Sequence, residues 1–138
     1  MAVSESAAAR FRAAQVAMLG TVRPDGAPHV VPVVFAMAEA RDVAYTAVDG
    51  KPKSGRRLQR LANIEHHPAV SLLVQHYDDD WSQLWWVRAD GVAGLHDGDD
   101  AGATGLAALR RKYRQYHDVE LGGPVIAVRI TRWVGWPD

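Results

Sequence analysis

Apolar and polar residues repeat with two different periods along this chain, and the switches between them mark out its elements. Ser4 can cap a first helix running to about Gln15, an alanine-rich stretch whose largest apolar group is Phe11. Val16 to Val22 then reads as a strand. It ends in Arg23-Pro24-Asp25-Gly26, where proline presets φ and glycine accepts a positive φ, so a tight hairpin turn is expected. His29 to Met37 is the returning strand. Its run Val30-Val31-Pro32-Val33-Val34-Phe35 is apolar on both faces, and Pro32, which cannot donate to a ladder, marks an edge or a bulge.

Val43 to Val48 forms a third strand, and Asp49 to Gly55 a loop. Arg56 to Glu65 has helical spacing, and Pro68 ends that helix. Ala69 to His76 and Leu84 to Ala93 are strands on either side of the acidic loop Asp78-Asp79-Asp80. A helix from about Ala101 to Tyr116 carries acid at its start and Arg110, Arg111, Lys112 and Arg114 near its end, as the helix dipole favours. Leu106, Leu109, Tyr113 and Tyr116 share one face of it and are expected to face the core. Val125 to about Trp136 is the last strand. Short turns between neighbouring strands favour antiparallel pairing, and six such strands with one apolar face close most easily into a small barrel. The expected fold is therefore mainly β: a six-stranded antiparallel split barrel with peripheral helices, one domain over residues 1–138.

Composition narrows the chemistry. The chain has 138 residues, with 16 basic and 16 acidic side chains, so it carries no overall preference for nucleic acid or anionic lipid. It has no cysteine, which removes disulfides, thiolate metal sites and thiol redox chemistry. Electron chemistry would then need a bound organic cofactor. The longest uncharged apolar stretch, Ala27 to Ala38, is too short to span a bilayer, and the N-terminus lacks a signal peptide's apolar run. A cytoplasmic protein without membrane attachment is expected.

The segment Lys51 to His67 holds Lys51, Lys53, Arg56, Arg57 and Arg60 against a single acid, Glu65. If Arg56 to Glu65 is helical, Arg56, Arg60 and Asn63 project from one face, while Leu58, Leu61 and Ala62 pack on the barrel. Ser54 and Gly55 would then sit at the helix start, where free N–H groups and the dipole favour an anion. The alternatives are a phosphate site and a solvated basic face. No glycine-rich Rossmann or P-loop motif is present.

The order of the hairpin with Pro24-Asp25-Gly26, the Val31-Pro32-Val33 strand, Tyr45-Thr46, the segment ending Arg60-Leu61-Ala62-Asn63-Ile64, and His67-Pro68-Ala69-Val70-Ser71-Leu72 resembles the pyridoxamine 5′-phosphate oxidase-like, FMN-binding split barrels. Asp49-Gly50-Lys51-Pro52-Lys53, His76 to Trp81, Leu84-Trp85-Trp86-Val87-Arg88 and the ending Arg129 to Trp136 are similar to the actinobacterial branch that uses coenzyme F-420, a deazaflavin. The resemblance implies a homodimer with cofactors in grooves between subunits, the phosphate beside the basic residues after the third strand and the ring along the second. Carried over by position, Arg60 takes the place usually held by a phosphate-binding Lys or Arg, and Asn63 matches a recurrent Asn among the cofactor-binding residues. Lys51 and Lys53 belong to the branch's own motif, and Arg56 and Arg57 join them by charge and geometry. Pro32, Val33 and Thr46 are candidates for ring and ribityl contacts, mostly through backbone groups.

Trp85 and Trp86 alternate on a strand, so one faces the barrel and the other faces outward, toward an interface or a ring-stacking site. The six histidines lack metal-ligand spacing, so no metal is expected, and no residue has the support for a catalytic label. The leading reading is an oxidoreductase that transfers a hydride between F-420 and a small organic substrate. FMN is the alternative cofactor, and a non-catalytic carrier of a cofactor or haem-type ligand is the alternative function. A nucleic-acid-binding barrel is disfavoured by the zero net charge.

Overall fold

The turn at Arg23–Ala27 sets the first pairing. Gly26 has φ of 91°, Arg23 N–H bonds the Ala27 carbonyl, and the Asp25 carboxylate accepts from Ala27 N–H. It joins β1 (Ala17–Val22) to β2 (Pro28–Val33) in an antiparallel hairpin. The computed structural model describes residues 3–38, 42–48, 58–119 and 121–137. After α1 (Glu5–Ala13), β1 and β2 come β3 (Ala36–Met37), β4 (Val43–Ala47), α2 (Gln59–His66), β5 (Ala69–His76), β6 (Trp85–His96), α3 (Asp100–Lys112) and β7 (Val125–Trp136). Ser4 caps α1 by accepting from Ala7 N–H, and Asp99 caps α3 by accepting from Gly102 N–H. The expected stripe on α3 is buried at Leu109, and it continues through Tyr113 to Tyr116 in the following 3-10 turn.

The strands form one seven-stranded sheet in the order β2-β1-β5-β6-β7-β4-β3. The single strand expected over His29 to Met37 is instead two, and they lie at opposite edges of the sheet. This corrects six strands to seven and explains how the barrel closes. Laid flat, the sheet's edges would be roughly 29 Å apart. Val34 and Phe35 alone separate β2 from β3, and so short a link reaches about 11 Å at most. The sheet must therefore curl until its edges meet.

Phe35 sits at that seam. Its side chain is fully buried against Phe11 at 5.0 Å, and Phe11 in turn meets Trp133 edge-on at 5.0 Å. The Tyr113 hydroxyl accepts from Phe35 N–H at 3.0 Å, and the Phe35 and Gln15 carbonyls each lie 2.7 Å from it. Lys112 donates to the Ala14 carbonyl and lies 4.0 Å from the centre of the Phe35 ring. The end of α3 thus ties the end of α1 to the barrel seam. Burial raises the Tyr113 pKa, against the opposing pull of the Phe35 hydrogen bond, so the hydroxyl stays protonated. Burial also lowers the Lys112 pKa from 10.5 to about 8.

One core fills the barrel, with Phe11, Leu19, Phe35, Leu72, Val87, Ile126 and Val128 all but fully buried. A second core joins α3 to the outer face of β3, β4 and β7 through Tyr45, Leu109, Tyr113 and Val125. α2 closes the barrel end at the last residues of β1, and α1 packs at the opposite end, where Arg10 lies 5.3 Å from the Trp85 ring.

Two outcomes follow from this packing. A Cβ at Gly105 would fall 2.6 Å from Tyr45 Cδ1 and 2.8 Å from Val125 Cγ1. Gly105→Ala should therefore destabilise the chain by about 1–2 kcal/mol in urea unfolding, overpacking outweighing the gain in helix propensity. An unchanged or raised midpoint would contradict this account of the α3 contact. Because Lys112 titrates lower in the folded chain, the unfolded chain holds more protons between about pH 8 and 10.5, and stability from this group rises with pH across that window. Unfolding of wild type and Lys112→Met over that range checks it: only the wild type should show the rise.

Candidate functional site

The basic segment reaches the described structure at Leu58, which is extended, and the helix begins at Gln59 without a side-chain cap. Within the described residues α2 runs from Gln59 to His66, and the expected helix start at Ser54-Gly55 lies outside them. Lys51, Lys53, Arg56 and Arg57 lie outside the described residues. Leu61 and Ile64 turn into the barrel core, and Arg60 is half-buried at the helix's first turn. Asn63 is the main departure from expectation. Expected on one helix face with Arg56 and Arg60, it is instead fully buried, its Nδ2 donating to Thr21 Oγ1 at 2.9 Å and its Oδ1 accepting from Gln59 Nε2 at 2.8 Å. A buried amide without partners is costly, so the Thr21–Asn63–Gln59 chain fixes how α2 sits on the barrel mouth. Thr21 was missed by the sequence reading, although a polar residue on the buried face of Ala17, Leu19 and Thr21 was the available signal.

The other expected contacts divide by exposure. Pro32 is exposed, whereas Val33 and Thr46 are buried. Trp85 packs on the barrel core, and its ring stacks on His76 at 5.8 Å with planes 17° apart. Trp86 points to the outer face, in register with Gln75 on one side and Trp136 on the other. The expected split of this tryptophan pair is observed. Together Gln75, His76, Tyr77, Leu84, Trp85, Trp86 and Trp136 line a groove of about 390 Å³. His76 Nε2 lies 3.7 Å from an Asp78 carboxylate oxygen. The His76 and Trp136 walls became visible only through the strand register.

These two places are far apart. α2 ends where β5 starts, and the groove lies where β5 ends, roughly 23 Å further along the strand. Between them, the outer face of β2, β1, β5 and β6 is covered by no helix of the described structure. Pro28, Val30 and Pro32 stand out from β2, Val30 being 63% exposed, and Val92 is exposed on β6. Asp90 sits amid this face, accepting from Ser71 Oγ at 2.6 Å and from Arg88 Nε and Nη2 at 2.9 and 3.3 Å. Partial burial would raise its pKa, but the Ser71 and Arg88 hydrogen bonds and the Arg88 and Arg132 charges outweigh that and hold it low.

An antiparallel barrel curled shut at one seam, capped by α1 and α2 and bearing an uncovered sheet face, defines a split-barrel protein. The sequence matches the pyridoxamine 5′-phosphate oxidase family over residues 3–136, and the chain belongs to that family. A comparison with curated proteins gave no significant match. Among solved structures, a conserved hypothetical protein from Mycobacterium tuberculosis is similar at a TM-score of 0.77 and 19% identity, covering 99% of this chain and 86% of that one. An F420 reductase is similar at a TM-score of 0.65 and 24% identity, covering 96% of this chain and 98% of that one. A heme binding protein from Mycobacterium smegmatis is similar at 0.69 and 22% identity, covering 97% of this chain and 55% of that one. At these identities the likeness is one of fold. No helix among the described residues is long and apolar enough to cross a membrane.

Thr21→Val should remove the partner of the buried Asn63 amide and lower stability by about 1–3 kcal/mol. Thr21→Ser should recover most of the loss. Denaturant midpoints of the two variants check this, and equal midpoints would remove the hydroxyl from the account.

Proposed function

We propose that the chain is an oxidoreductase acting as a homodimer on a small organic substrate, with a phosphorylated flavin-type cofactor, coenzyme F-420 ahead of FMN, held between subunits. The observation that carries this reading is the separation of α2, which follows the cation-rich segment in the chain, from an aromatic groove at the far end of β5, with an uncovered, largely apolar sheet face between them among the described residues. A second copy packed on that face by a two-fold axis would bring the aromatic end of one protomer toward the α2 end of the other. Membership of the pyridoxamine 5′-phosphate oxidase family supports a flavin-type ligand, and the likeness to an F420 reductase supports the deazaflavin form.

The residues present fit such a group in kind. Arg60 supplies a guanidinium at the first turn of a helix that Asn63 holds in place, and Lys51, Lys53, Arg56 and Arg57 precede it in the chain. A single phosphate needs two or three donors, so the surplus of cations favours a longer anionic tail. Pro32 and the β2 backbone offer an edge for the ring, and Trp86 with Trp136 offers apolar planes. A bound deazaflavin supplies two-electron hydride chemistry. The chain's part is to bind, align donor with acceptor, and exclude water.

A carrier of a haem-type ligand is the second reading, favoured by one feature: the His76 imidazole opens into an aromatic groove. Titration of the purified protein with F-420, FMN and haemin, followed by fluorescence and absorbance, separates the readings. Saturable F-420 binding at one per chain, weakened at least about tenfold by Arg60→Glu, is expected, with a dimer in sedimentation. FMN binding alone would replace the cofactor. A Soret band lost in His76→Ala, with neither flavin bound, would replace the function.

A further inference from the structure

We propose that the hollow between α1, β3 and α3 is a second ligand site, one that takes a small phosphate-bearing anion. Its rim is cationic. Arg12 from the last turn of α1 and Arg111 and Lys112 from the last turn of α3 surround a depression of about 250 Å³ floored by Ala36, Met37 and Ala108. It shares no lining residue with the aromatic groove, and no residue of α2 lines it.

None of the three cations is paired with a carboxylate among the described residues. Their contacts are to neutral groups: Lys112 Nζ to the Ala14 carbonyl and the face of the Phe35 ring, and Arg12 Nη1 to the Ala38 carbonyl at 3.5 Å. By contrast, Arg88 is paired with Asp90 and Arg23 with Asp25. The negative end of a helix dipole accounts for a basic residue in each last turn. It does not account for the convergence of both helices' cations on one hollow, where one ammonium is half-buried. A dianion placed there would supply the charge partner that Lys112 lacks among the described residues. Phosphate suits the set better than a carboxylate does, because two guanidinium forks and an ammonium present more donors than one carboxylate can accept.

Occupancy would also be felt in stability, since Lys112 and its neighbour Tyr113 hold the barrel seam. The test is thermal unfolding and isothermal titration of the full chain in sodium phosphate, against sodium chloride at equal ionic strength. Phosphate should raise the melting temperature saturably beyond chloride. Arg111→Glu, at an exposed position, should weaken phosphate binding at least about tenfold while lowering the melting temperature in chloride only slightly, as loss of a cation from a helix's last turn does. Stabilisation no greater than that in chloride would overturn the proposal. So would phosphate binding that survives Arg111→Glu and is lost in Arg60→Glu, because the anion would then sit at the α2 end.

Discussion

The seam at Val34 and Phe35 is the constraint on which the rest of the structure depends. A sheet whose two edges are consecutive in the chain has no choice but to close. Closing it takes Phe35 out of the ladder and leaves its N–H and carbonyl buried without strand partners, each worth about 1–3 kcal/mol if left unmet. The Tyr113 hydroxyl meets both, since a hydroxyl both donates and accepts. That one group lies at the end of α3, so the helix must run along β3, β4 and β7 to deliver it, and Gly105 lets it lie close enough. Among the described residues, the same closure leaves the opposite outer face of the sheet without a helix. What holds the barrel therefore also decides which of its faces is available to a partner.

Much of this was legible in the chain. Period-two runs gave the strands, Pro24-Asp25-Gly26 gave the hairpin, Ser4 gave the first cap, and the α3 stripe gave its buried side. The break between Val33 and Ala36 was not legible, because an apolar run says that both faces are buried without saying which strand each half pairs with. Asn63 was misplaced for a related reason. Helical spacing put it near Arg60, but an amide among apolar neighbours reads as surface until its partner is known, and Thr21 lies 42 residues away. The groove of Trp85, Trp86 and Trp136 was only half visible: the alternation of the pair was local, while the third wall came from the register of β6 with β7.

The charges follow a similar division. With basic and acidic residues equal in number, only their arrangement can select a ligand. The acids gather at the β5–β6 loop and before α3, and the bases before α2 and at the converging ends of α1 and α3. Asp90 stands apart from both groups of acids: its carboxylate, held ionised by Ser71 and Arg88, lies in the middle of the apolar face. A surface that must desolvate this group accepts only a partner that leaves its hydrogen bonds intact, which disfavours casual association.

The tie from Tyr113 to the seam carries one further meaning. It joins Phe35 across 78 residues and Gln15 across 98, so it spans most of the chain. Contacts of that range cannot form until the intervening strands have found their places, because loop closure must come first. Interactions that form after the folding barrier govern how fast a native chain comes apart more than how fast it folds. If the latch closes on that side of the barrier, the Tyr113 hydroxyl acts chiefly on the lifetime of the folded state.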